Sequence, residues 1–220
     1  MTCILCSKFI NYQLKFTDII FLRKNENKIC QKCLDSFTKI SENHCKRCCK
    51  SCMKETCNDC QNWLKRGEEV NHQAIYKYDE AMREYFKMYK FSGHYQLRQI
   101  FAQEIKKVIK TYKNYTVIPI PVSSERLEER GFCQVTAILE WCDIPYTQVF
   151  VKNDSENQST KNKQDRLETK GTFSIIKGNN FPMKVLLFDD IYTTGSTINQ
   201  ARHMLRQEGV KEIKSLSIAR

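Results

Sequence analysis

Nowhere in its 220 residues does this chain carry an apolar run long enough to span a bilayer. Its opening stretch, MTCILCSKFINYQ, has no signal-peptide core. These two absences predict a cytoplasmic protein without a transmembrane segment. No Gly-Lys-Ser/Thr occurs anywhere, which excludes a Walker A nucleotide site. Acidic residues are the minority sign: 25 Asp/Glu face 36 Lys/Arg, for a formal charge of +11. The length fits one domain of ordinary size plus a small appendage, enough to bury a real core.

Cysteine is abundant. Ten of the twelve cysteines precede Gln61, and eight of these form C-x-x-C pairs: Cys3/Cys6, Cys30/Cys33, Cys45/Cys48 and Cys57/Cys60. Without an export signal, such repeats read as structural zinc sites rather than disulfides. Two pairs complete a tetrahedral shell, so four pairs allow two Zn²⁺ ions. Spacing alone does not decide which pair joins which. Cys49 and Cys52 add competing thiols: Cys48 or Cys49 could be the ligand, and Cys52 could replace a neighbour. Cys133 and Cys142 lie outside the cluster and read as ordinary packing residues. So small and polar a segment needs metal for its stability. The expected organisation is a zinc-binding Cys-rich module at 1–66 and a second domain at 67–220, with Lys65-Arg66-Gly67-Glu68-Glu69 as the hinge.

Zinc also tempers the charge. Residues 1–66 hold 13 Lys/Arg and 6 Asp/Glu, but each Zn(Cys⁻)₄ centre would carry about −2. A second basic stretch, 83–114, places Arg98, Lys106, Lys107, Lys110 and Lys113 on a helical segment, with Tyr112 and Tyr115 interleaved. It reads equally as a patch for a phosphate backbone or as a solvated helix face.

From residue 76 onward the periodicity alternates. Ala81, Tyr85, Met88 and Tyr89 predict a helix within 76–89, and Leu97 to Ile109 a second one. Val117-Ile118-Pro119-Ile120-Pro121 predicts a strand, SSERLEERGF a polar loop, and Cys133 to Trp141 a helix. Short apolar runs predict strands at Val149–Val151, Lys184–Phe188 and Ile213–Ile218, with a helix over Ile198–Gln207. Residues 152–171 read as an exposed mobile loop. This alternation predicts an α/β fold, a parallel sheet with helices on both faces and ligands beyond its carboxyl ends.

The segment VLLFDDIYTTGSTI, Val185 to Ile198, is the most informative. A buried strand delivers Asp189 and Asp190, where carboxylates can bind ribose hydroxyls or hydrated Mg²⁺. Thr193, Thr194, Gly195, Ser196 and Thr197 then offer hydroxyls and N–H groups at a helix start, a cradle for phosphate. This order closely resembles the phosphoribosyl-pyrophosphate (PRPP) motif of type I phosphoribosyltransferases. The C-x-x-C pairs, Tyr89-Lys90-Phe91-Ser92-Gly93, Ile118-Pro119-Ile120-Pro121 with Arg130-Gly131-Phe132, and Ser217-Ile218-Ala219-Arg220 stand around it. In that order they resemble the ComF (ComF/GntX) family over nearly the whole chain.

The resemblance implies a type I phosphoribosyltransferase-like sheet flanked by helices, behind a small zinc module. It carries over Asp189 and Asp190 as the catalytic, ribose- and metal-linked carboxylates, and Thr193 to Thr197 as the 5′-phosphate loop. Lys90 falls in the family's basic segment. Arg126 and Arg130 lie where this fold handles pyrophosphate; a surface salt bridge from Arg130 to Glu128 or Glu129 is the alternative. Lys161, Lys163, Gln164, Leu167 and Phe173 match a closing loop, with a solvated linker as the alternative. Cys133 stands where the family usually has Asn.

The family implies a role in natural transformation at the inner face of the membrane. Its implied partners are single-stranded DNA, the competence helicase ComFA and recombination-mediator proteins. An enzyme moving a phosphoribosyl group from Mg²⁺–PRPP to a nitrogen acceptor is one alternative, and a PRPP-sensing adaptor is another.

Overall fold

A computed structural model describes residues 2–10, 28–91, 93–152, 173–176 and 181–220. Among its described residues the Cys-rich segment holds two short helices, α1 (Gln31–Asp35) and α2 (Asn58–Lys65). Strand β1 (His72–Tyr76) follows, then α3 (Glu80–Phe91), a 3₁₀ turn (Tyr95–Gln99) and α4 (Ala102–Ile109). Next come β2 (Thr116–Pro119), α5 (Ser124–Arg130), α6 (Gln134–Trp141) and β3 (Phe150–Lys152). The chain closes with β4 (Phe173–Ile175), β5 (Lys184–Ile191), α7 (Ser196–Gln207) and β6 (Glu212–Ala219).

The sheet is parallel throughout, in the order β1-β6-β5-β2, and β3 pairs antiparallel with β4 beside it. Val185, Leu186, Leu187 and Phe188 are all inaccessible to solvent. Successive strand residues point to opposite faces. Leu186 and Phe188 therefore join one core with Tyr85, Tyr89, Phe101 and Ile138, while Val185 and Leu187 join another with Phe150, Phe173, Ile198 and Leu205. A continuous apolar run is what a central strand covered on both faces requires. The sulfurs of Cys45, Cys48, Cys57 and Cys60 belong to the second core, so part of the Cys-rich segment packs on the face that carries α7.

At the end of the segment read as a hinge, Glu69 meets α7. Buried Arg202 on α7 donates to the carbonyls of Glu69 and, at 3.3 Å, Asn71. Arg206 pairs with Glu69 at 3.6 Å. Beyond it, β1 pairs with β6, His72 opposite Ser215 and Tyr76 opposite Ala219, and on its other edge Tyr76 bridges Lys39.

Three boundaries differ from the sequence-based reading. Tyr76 ends a strand instead of starting a helix, which begins at Glu80 after Asp79 accepts the Met82 N–H at 3.1 Å. SSERLEER is helical: the Ser123 hydroxyl accepts from the Arg126 N–H, and Gly131 ends the turn at φ +74°. The acidic pair lies within β5, which runs on to Ile191. Lys161, Lys163, Gln164 and Leu167 lie outside the described residues, whereas Phe173 is buried in β4.

Phe101 packs its ring on Phe37, Tyr76 and Tyr85 with centroids 4.8–4.9 Å away. Phe101→Ala is expected to cost about 3–5 kcal/mol in urea unfolding. Met53→Ala, at a side chain 88% exposed, is expected to stay within about 0.5 kcal/mol.

Candidate functional site

Strand β2 stops pairing at Pro119 opposite Phe188, and β5 continues beside β6 with Asp189 opposite Ser217. The acidic pair thus projects past the carboxyl end of its neighbour, where parallel sheets bind ligands. Asp190 lies on the Phe188 side of the strand, where the Lys90 ammonium from the end of α3 pairs with it. That ammonium also sits 4.9 Å from the Phe86 ring centroid. Asp189 lies on the opposite face and accepts the N–H of Asp190 at 2.8 Å. Burial, and then the charge of Asp190, push the Asp189 carboxyl up to about 8.

Arg126 and Arg130 of α5 lie near this pair. Burial and the neighbouring Arg126 lower the Arg130 pKa, while Asp190 opposes that shift. Arg130 donates to the Gln134 side chain at 2.9 Å and lies 5.2 Å over the Phe91 ring. Among the described residues no ion pair joins it to Glu128 or Glu129, and its Nε is buried without a protein partner. Lys152 is a further cation that the sequence reading missed. Its ammonium is depressed by burial and by Arg126, with Asp189 opposing. It stands between the apolar run Val149–Val151 and a polar stretch, and its place in β3, two residues after buried Phe150, brings it inward. Lys90 thus contacts Asp190, Arg130 and Lys152 lie within electrostatic reach of the pair, and Arg126 neighbours both of these, a layout suited to an anionic ligand that carries its own metal ion.

The hydroxyl-rich loop follows directly. Thr193, Thr194, Ser196 and Thr197 are exposed, and Gly195 is the N-cap of the twelve-residue α7 at φ +83°. A Cβ at this position would lie 2.1 Å from the Tyr192 hydroxyl, so glycine is required by both backbone angle and space. The open N–H groups of a first helical turn attract anions.

The cysteines sort into two groups, Cys3/Cys6/Cys30/Cys33 and Cys45/Cys48/Cys57/Cys60, each with its sulfurs within 4.8 Å of one another. Cys6 and Cys30 sulfurs are 3.7 Å apart, and Cys48 and Cys57 sulfurs 3.6 Å. A tetrahedral Zn–S distance of about 2.3 Å gives an S···S edge of about 3.8 Å, so both groups fit zinc. Burial opposes ionisation of Cys3 and Cys45. Backbone N–H groups outweigh it, bringing Cys3 down to about 6 and Cys45 to about 7. The choice left open by spacing falls to Cys48. Cys49 points elsewhere, accepting the Ala74 N–H at 3.4 Å, and Cys52 contacts the Lys54 carbonyl at 3.1 Å. Cys142 is buried against the Ala102 carbonyl, and Cys133 is the N-cap of α6.

The basic stretch is partly spoken for. Arg98 is sandwiched 3.4 Å from Tyr95 and 4.9 Å from Trp141. Tyr112 donates to Gln73 and Tyr115 to Glu212. Lys107, Lys110 and Lys113 remain exposed.

Metal analysis of the purified chain is expected to find about two zinc ions per molecule, and Cys48→Ser about one. A zinc-free chain with an unchanged thermal melt would refute the assignment of both groups.

Residues 94–220 match the family described as "Phosphoribosyl transferase domain". Among curated proteins, "Competence protein ComFC" of Streptococcus pneumoniae is 38% identical over 220 residues, covering 100% of each chain. "Competence protein ComFC" of Bacillus subtilis is 30% identical over 217 residues, 95% of this chain and 90% of that one. "Competence protein F" of Haemophilus influenzae is 28% identical over 208 residues, 87% and 88% respectively. No described helix is long and apolar enough to cross a membrane. With a parallel sheet of the transferase type, two Cys₄ groups ahead of it and a relative aligned from end to end, the chain belongs to the ComFC family of competence proteins.

Proposed function

We propose that this protein assists the uptake of single-stranded DNA in natural transformation, and that it carries a binding site for PRPP with Mg²⁺. The competence role rests on the relatives named ComFC. The ligand rests on one observation: Asp189 and Asp190 emerge beyond the sheet edge among Lys90, Arg126, Arg130 and Lys152, just before a hydroxyl-rich helix start. In this reading the loop from Thr193 to Thr197 holds the 5′-phosphate. The acidic pair takes the ribose diol, with Mg²⁺ bridging to pyrophosphate, and the guanidiniums meet pyrophosphate oxygens two at a time. Bound Mg²⁺ would neutralise pyrophosphate charge.

The same layout supports a second reading, transfer of the phosphoribosyl group to a nitrogen acceptor. There Asp189 or Asp190 would stabilise positive charge growing at C1 as its bond to pyrophosphate breaks. The uptake role places the protein at the inner face of the membrane with ComFA and recombination mediators. Exposed Lys107, Lys110 and Lys113 would supply backbone contacts to DNA.

PRPP with Mg²⁺ is expected to raise the melting temperature, by the equivalent of about 2.7 kcal/mol at a hundredfold excess over Kd. Asp190→Ala is expected to abolish the shift; no shift in the wild type would remove the ligand assignment. Single-stranded DNA is expected to bind with an affinity that falls steeply with salt. Replacing Lys107, Lys110 and Lys113 by Ala should flatten that dependence, and an unchanged salt slope would sink the patch.

A further inference from the structure

Two bridges join the second cysteine group to the hydroxyl-rich loop. Helix α2 begins after Cys57 and carries Cys60 and Trp63 three residues apart, on neighbouring positions of one face. The Trp63 indole N–H donates to the carbonyl of Thr194 at 2.9 Å, across 131 residues of sequence. The other bridge is Arg220. Its guanidinium contacts the Cys48 sulfur at 3.7 Å, Asp59 at 3.1 Å and the Tyr192 carbonyl at 3.5 Å. Asp59 is also held by Lys50 at 2.7 Å. The Tyr192 ring lies 5.2 Å beneath that guanidinium, stacks on His72 at 3.9 Å and abuts Gly195.

Peptide planarity gives these contacts a direction. In a trans peptide the C=O of one residue and the N–H of the next point opposite ways. Holding the Thr194 carbonyl towards α2 turns the Gly195 N–H away from it. Holding the Tyr192 carbonyl towards Arg220 does the same for the Thr193 N–H. Among the described residues neither amide has a protein acceptor.

We propose that Trp63 and Arg220 are positioning residues for the loop: they fix its carbonyls on the Cys45/Cys48/Cys57/Cys60 side, aim the amides of Thr193 and Gly195 at a bound phosphate, and make anion affinity depend on metal at that cysteine group. The inference rests on reading the loop as a phosphate site. Four cysteine sulfurs drawn to one ion fix the start of α2, and Trp63 lies one turn further on. Loss of the ion frees α2, and the loop then loses the acceptor contact that orders its peptides.

The test uses the full-length, metal-loaded chain and Trp63→Phe, which keeps an aromatic ring and loses only the donor. Backbone ¹⁵N relaxation without ligand is expected to give lower order parameters at Thr193–Thr197 in the variant, with β5 and β6 unchanged. Arg220→Gln should do the same at Thr193. Chelation should lower the loop order parameters in the wild type and bring them to the level of chelated Trp63→Phe. Titration with Mg²⁺–PRPP should be about fivefold weaker for Trp63→Phe at equal zinc content, the worth of about one hydrogen bond. Equal loop order in wild type and variant overturns the inference, as does equal PRPP affinity. A flat wild-type titration with the order difference intact overturns the phosphate-site reading instead and leaves the coupling standing.

Discussion

The double-sided burial of β5 is the constraint on which the rest of the structure depends. Val185 to Phe188 can be uniformly apolar only because helices cover the sheet above and below. That cover pins the strand's register against β2 and β6. A slip by one residue would exchange the cores to which its side chains belong. The fixed register carries Asp189 and Asp190 past the end of β2, one towards each face. Cations can therefore reach the pair from two sides: Lys90 from α3 on one, Lys152 from β3 on the other.

Charge balance then shapes the site. A carboxyl pushed up by burial beside a second one already paired with lysine is an arrangement short of a ligand. The same holds for Arg130, whose Nε is buried without a protein partner. Groups of both signs gathered past the end of β2 are what the proposed Mg²⁺–PRPP ligand would engage.

Much of this was legible in the sequence, for identifiable reasons. Val185 to Phe188 reads as a covered strand, as found, and Thr-Thr-Gly-Ser-Thr after two acids gave rise to the phosphate-loop proposal. The C-x-x-C spacing gave candidate ligands but neither their pairing nor the choice between Cys48 and Cys49, because local spacing holds no information about which thiols meet in space. That answer came from the fold, which joins neighbouring pairs in chain order. Lys152 was hidden for a different reason: it stands where the apolar run Val149–Val151 gives way to a polar stretch, and nothing local shows that β3 takes it in and turns it to the side of buried Phe150. Strand β1 went unseen because HQAIY is short and its partner lies at the far end of the chain. The stretch read as a hinge shows a similar limit, since polar composition could not reveal that Arg202 would meet the Glu69 carbonyl at its end.

That late partner has a consequence for how the chain can be divided. Strand β1 has an upstream neighbour, the stretch around Lys39 and Ile40 that bridges Tyr76 and bonds the Ile75 carbonyl, and a downstream one in β6, about 140 residues further on. The Cys-rich segment and the parallel sheet therefore share this strand, and a cut between them would leave β1 with one bare edge.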